Sequence, residues 1–103
     1  MENNIIEIVK LRIAKSNDDI YRYAELVSDL EFFREQNPQL FHTKELSERY
    51  DEIWMKLEIL NACALSEWEE CGRPKNFDEI WKEKYIKDAQ NLLQELIVFM
   101  SEA

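Results

Sequence analysis

A chain of 103 residues with 46% hydrophobic and 12% aromatic side chains can close one hydrophobic core without disulfides or a structural metal, which become usual only below roughly 40 residues. One glycine and two prolines are too few turn residues for a sheet protein, so the composition points to a few long helices. The net charge of −9 at pH 7 sets the chain against phosphate backbones and anionic lipid, and favours a basic protein partner.

The first element is predicted over the run that begins at Asn3 or Asn4. Asn4 as the cap places Glu7 at the N3 position of a capping box. Ile5, Ile6, Val9 and Ile13 fall on one face, and Ile8 widens it. The run is rich in β-branched residues, so a strand is the alternative. Lys10, Arg12 and Lys15 stand near the C-terminal end, where a helix macrodipole favours bases.

Ser16-Asn17-Asp18-Asp19 breaks the pattern and restarts it, with Ser16 and Asp19 at capping-box spacing. A second helix is predicted to about Gln36, with Ile20, Tyr23, Ala24, Val27 and Leu30 inward. Phe32 and Phe33 lie partly off that stripe, where the following loop can cover them. Asn37-Pro38 ends the helix, because the residue before proline resists the helical region. Leu40 and Phe41 in the short connector are expected to turn back onto the bundle. His42 is the only histidine and reads as an ordinary loop residue, since no companion for a metal or a nucleophile accompanies it.

Thr43 is the predicted cap of a long third helix that ends at Gly72. Leu46, Tyr50, Ile53, Trp54, Leu57, Leu60, Ala64, Trp68 and Cys71 step by three and four residues from end to end, the amphipathic pattern. Gly72 sits where a helix ends in a left-handed residue, and Pro74 follows. Asn76, with Glu79 at N3, is the predicted cap of a fourth helix. Its stripe is Trp81, Tyr85, Ala89, Leu92, Leu93, Leu96, Phe99 and Met100. The short link makes these two helices antiparallel neighbours. The expected fold is therefore all-α, a four-helix bundle in a single domain spanning residues 1–103.

Cys63 and Cys71 lie eight residues apart on one helix, which separates them by about 12 Å, too far for a disulfide. Reduced thiols, no signal-peptide pattern at Met1-Glu2-Asn3-Asn4, and no apolar run near the roughly 20 residues of a membrane span together read as a cytoplasmic protein without membrane attachment.

Charge is uneven along the chain. Residues 43–72 hold eight acids against three bases, net −5, whereas residues 1–42 are net −3 and residues 73–103 net −1. On a helical wheel, the side of the third helix opposite its core stripe carries Glu48, Asp51 and Glu52 at its start and Glu69 and Glu70 at its end. Met55, Ile59 and Ala62 lie between them. An apolar anchor inside a charged rim is the pattern of a partner-binding strip. The rival expectation is that the first helix or the Leu40-Phe41 connector covers Met55 and Ile59, since a central bundle helix can bury two sides.

Catalytic constellations fare poorly. Glu45, Glu48 and Glu52, and Asp78, Glu79 and Glu83, have the spacing of carboxylate metal sites, but the bridged form needs Glu-x-x-His on two helices and the chain has one histidine. No phosphate loop, zinc spacing or nucleophile–base arrangement is present. Trp54, Trp68 and Trp81 read as core. Arg73, Lys75, Lys82, Lys84 and Lys87 are interleaved with acids and read as i, i+4 partners on a solvated helix.

The expected function is a small acidic binding module, not an enzyme and without cofactor or metal. Glu48, Glu52, Met55, Ile59, Glu69 and Glu70 would occupy a basic surface of a partner protein, a nuclease or nucleic-acid-binding protein, with no direct contact to nucleic acid. In size and charge, and in no motif, the chain is similar to small acidic inhibitors such as toxin-immunity proteins and phage proteins that block nucleic-acid-binding defence systems. Two alternatives are a magnesium- or manganese-dependent carboxylate hydrolase of nucleotides and a homo-oligomeric module, such as a homodimer, in which Met55, Ile59 and Ala62 meet a second copy.

Overall fold

The computed structural model describes residues 3–16 and 18–103. It is an all-α domain of four helices. These are α1 (Asn3–Ser16), α2 (Ile20–Gln36), α3 (Lys44–Glu70) and α4 (residues 78–102), with a 3₁₀ turn at Pro38–Phe41 between α2 and α3. At about 1.5 Å per residue, the 27 residues of α3 nearly match the 43 Å long axis of the molecule, whose other dimensions are 22 and 20 Å. α3 therefore sets the length of the domain. Neighbouring contacts run from α1 to α2, α2 to α3, α3 to α4 and from α4 back to α1, while α1 and α3 make no comparable contact. This is consistent with a bundle in which α1 and α3 face each other across the diagonal.

Three hydrogen bonds from buried or half-buried aromatics to helix carbonyls tie α2 to α3. Tyr23 donates to Leu57 at 2.8 Å, Trp54 to Val27 at 2.9 Å and Tyr50 to Leu30 at 2.7 Å. The pairs climb α2 as they descend α3, as opposed helices require. Each aromatic buries its ring and still satisfies its polar end. On the other side, Glu67 pairs with Lys84 at 2.9 Å, while Glu95 pairs with Lys56 at 3.2 Å and Arg49 at 3.1 Å. That reversed order is consistent with the antiparallel pairing expected of α3 and α4.

Several boundaries differ from expectation. α1 is a helix and not a strand, and it already includes Asn3 and Asn4, so its cap position lies outside the described residues, as does Asn17. Ser16 belongs to the end of α1. The cap of α2 is Asp19, whose extended backbone lets its carboxylate accept from the Arg22 N–H at 2.8 Å. Thr43 caps α3 as expected, accepting from the Leu46 N–H at 3.1 Å. α4 begins one residue later than a cap at Asn76 would give. Phe77 occupies the cap position and is buried, and Asn76 accepts from the Asp78 N–H at 3.1 Å. α4 also contains a π turn at Trp81–Tyr85, where the Ile86 N–H reaches back to the Trp81 carbonyl. The i, i+4 pattern held no sign of it.

Gly72 ends α3 with φ of +86°. Its N–H donates to the Glu69 carbonyl at 3.0 Å, and the Arg73 N–H to the Trp68 carbonyl at 2.9 Å, the two bonds of a Schellman closure. Arg73 is also left-handed, at φ of +54°, and its guanidinium lies over the Trp68 ring, 5.9 Å from the centroid. The Pro74 carbonyl accepts from both Trp68 Nε1 at 2.9 Å and the Tyr21 hydroxyl at 3.0 Å, pinning the link to α2 and α3.

Most of the predicted core is buried, with three revisions. Ile8 is 65% exposed; on α1 it lies off the Ile6–Val9–Ile13 line that faces α2 and α4. Cys71 is exposed because it stands at the C-cap, where the backbone turns away from the stripe. Leu26 and Phe77 join the core, and so does Asn61, buried with its carbonyl Oδ1 lacking a partner among the described residues. Leu40 is half-buried and Phe41 buried, the latter 4.6 Å from the Tyr50 ring and 6.2 Å from Phe33. The connector thus covers Phe33, while Phe32 stays 61% exposed.

Candidate functional site

The side of α3 turned away from the core is uncovered. Met55 is 51% exposed and Ile59 57%, and Ala62 is exposed beside them. Neither α1 nor the connector covers them: α1 makes no contact with α3 comparable to those with α2 and α4, and Phe41 packs against Tyr50 and Phe33. Glu48, Glu52, Met55, Ile59 and Ala62 follow one another at alternating steps of four and three, which keeps them on one line of the helix surface. Glu69 and Glu70 lie on the same side further on, about 25 Å from Glu52 at 1.5 Å per residue. The two acidic groups are therefore the ends of a strip and not one cluster.

The carboxylates are less bare than their sequence implies. Glu48 lies 3.7 Å from Lys44, Asp51 3.4 Å from Arg34, Glu52 3.1 Å from Arg49 and Glu69 3.6 Å from Arg73. All four carboxylates are exposed. Exposed pairs of this kind contribute little and exchange readily with water or another cation. Glu70 makes no ion pair among the described residues.

Grooves flank the strip on both sides. Met55 edges a cleft of about 480 Å³ shared with Glu31, Arg34, Glu35 and Asp51. Ile59 edges a cleft of about 420 Å³ against α4, lined by Leu60, Cys63, Asp88 and Leu92. Cys63 also borders the next hollow, about 680 Å³, which holds Ala62, Glu67, Glu70, Lys84 and Tyr85. Glu31 and Glu35 widen the acidic rim onto α2. Sequence reasoning missed them as part of the face, although their i, i+4 spacing about Arg34 was visible. Among the described residues, Arg34 is the one base lining that cleft, held by Asp51, by Ser47 and by the Phe41 ring 5.1 Å away.

At the far end, Glu67 accepts from the Tyr85 hydroxyl at 2.6 Å and from Lys84 at 2.9 Å. Lys84 thus crosses to α3 instead of pairing along its own helix. The Tyr85 hydrogen bond first, and then Lys84, hold the Glu67 carboxyl below its ordinary value. Burial first, and then Glu67, push the Tyr85 hydroxyl up to about 12, and Glu67 raises Lys84. Each group is thus driven further into its neutral-pH protonation state. The trio is a latch between helices and not an acid–base pair near neutrality.

Among the described residues, no three His, Cys, Asp or Glu side chains converge as metal ligands would. Asp78, Glu79 and Glu83, like Glu45, Glu48 and Glu52, are exposed on the surface. His42 is exposed in the connector. No described helix is long and apolar enough to cross a membrane. No protein-family model matches this chain, and comparison with curated proteins and with solved structures finds no match.

Proposed function

We propose that this chain is a protein-binding module that lays the outer face of α3 on a basic surface of a partner and inhibits it by occupancy, without chemistry of its own. The observation that carries this reading is the half-exposure of Met55 and Ile59 inside a helix of net charge −5. Two apolar side chains held out on a rigid helix lose little entropy on docking. The carboxylates around them steer a basic surface into place and exclude like-charged competitors.

Proteins that hold phosphate backbones present basic patches. A nuclease or another nucleic-acid-binding protein is therefore the partner class that fits, with the strip competing against nucleic acid for the patch. In this reading, Glu48, Glu52, Glu69 and Glu70 set the rate of encounter, and Met55 and Ile59 set the residence time.

The test is affinity capture from native lysate on the immobilised chain, followed by calorimetry with the purified captured protein. A basic protein that binds at low salt, competes with nucleic acid and weakens toward roughly 0.5 M salt, where screening shortens the field to a few ångströms, supports the reading. Binding that is indifferent to salt and to neutralisation of Glu48 and Glu52 as glutamines contradicts it.

A further inference from the structure

A second apolar face stands open on α1. Ile8 and Leu11, at 65% and 62%, are the two most exposed large hydrophobic side chains among the described residues. With Lys15 they fall at steps of three and four, one line along α1. The helix that carries them is opposite in charge to α3. α1 has three bases and one acid, net +2, and is the only net-positive helix among the described residues, whereas residues 44–70 are net −5. Arg12 is drawn toward Glu25 and Asp29 on α2, and Lys10 toward Glu7. Lys15 makes no ion pair among the described residues.

One molecule therefore carries an apolar face on a net-basic helix and another on a net-acidic helix. α1 packs against α2 and α4 and makes no comparable contact with α3, so the two outward faces do not pack on each other within one chain. We propose that the α1 face of one copy, Ile8, Leu11 and Lys15, docks head to tail on the α3 strip of a second copy, around Met55 and Ile59. Pairing of the α3 strip with itself would set acids against acids, so charge complementarity selects the unlike faces. A head-to-tail contact leaves one face open at each end, and association does not close at two copies. Few anchors on each face make the contact weak. This inference rests on the exposure of the same α3 strip as the proposed function, but not on any outside partner.

The experiment is sedimentation velocity of the full chain over rising concentration near 0.15 M salt, where repulsion between the net charges is screened beyond about 8 Å while contacts persist. The average mass should rise past that of a dimer. Leu11→Asp keeps the α3 strip and Met55→Asp keeps the α1 face. Each alone should be monomeric over the same range, with an unchanged helical circular dichroism spectrum. Mixed one to one, they should form a dimer and nothing larger, since only one competent pair of faces remains. Lys15→Glu should raise the dissociation constant about tenfold, a 1.4 kcal/mol effect. Leu11→Asp should retain capture of the basic partner, which separates failure of self-association from failure of the proposed function. A chain that stays monomeric, a Leu11→Asp variant that associates like the parent, or a mixture that stays monomeric would each overturn the inference.

Discussion

The Tyr23 hydroxyl donates to the Leu57 carbonyl at 2.8 Å while its ring packs 5.1 Å from that of Trp81. One side chain of α2 thereby joins both long helices of the C-terminal half. The Leu57 carbonyl belongs to the interior of α3, so loss of the hydroxyl leaves no orphaned acceptor. Tyr23→Phe should cost about 1 kcal/mol, a fall of roughly 4–8 °C in melting temperature for a domain of this size, measured by calorimetry.

The same burial gives a pH signature. Desolvation raises the Tyr23 and Tyr50 hydroxyls above the ordinary value of 10.0, with Glu58 adding to the shift at Tyr23. In the unfolded chain both ionise above pH 10 while the folded chain keeps its protons. Their contribution is therefore complete below pH 10 and is lost as pH rises toward the folded values. Stability should decline in alkali, and the decline should be shallower in Tyr23→Phe and Tyr50→Phe, as read by urea unfolding across pH 9–12.

Glu67 has the opposite sign. Its folded carboxyl is held down by Tyr85 and Lys84, so its contribution is present above the ordinary carboxylate range and is lost as pH falls through the folded value. Glu67→Gln should be less stable than the parent near neutrality, and the two should converge in acid. Urea midpoints that differ equally at all pH values would show that ionisation of the Glu67 carboxyl does not stabilise the folded chain.

At Gly72 a methyl group would meet nothing within 4 Å, so space is not at issue there. The cost of Gly72→Ala is backbone strain at φ of +86°, about 1–2 kcal/mol for an L-residue in the left-handed region. A melting temperature unchanged by this substitution would show that the Schellman closure contributes nothing.

The helices were legible because their signals were local. Thr43 and Gly72 mark the ends of α3, Asn37-Pro38 ends α2, and the steps from Tyr50 to Trp68 name the buried side. The exceptions arise where tertiary contacts decide. Asn61 falls on the stripe between Leu57 and Ala64, and its position outranked its polarity. The π turn at Trp81–Tyr85 has no marker in the three- and four-residue spacing of the stripe. Ile8 was expected to widen the α1 face, but it lies off the Ile6–Val9–Ile13 line, as Leu11 does, and both stay outside. Met55 and Ile59 were legible as off-stripe residues. Whether anything covered them depended on the path of α1 and the connector.

In the proposed function Met55 and Ile59 anchor a partner and are not parts of the core. The double substitution Met55→Asp with Ile59→Asp separates the two roles, read by circular dichroism and by calorimetric binding of the captured basic protein. Both side chains are more than half exposed, so the helical spectrum should be unchanged and stability altered by no more than about 0.5 kcal/mol per site. Binding should fall at least about a hundredfold, as removal of central anchors does. Undiminished binding by the folded variant would contradict the claim, and so would loss of the fold.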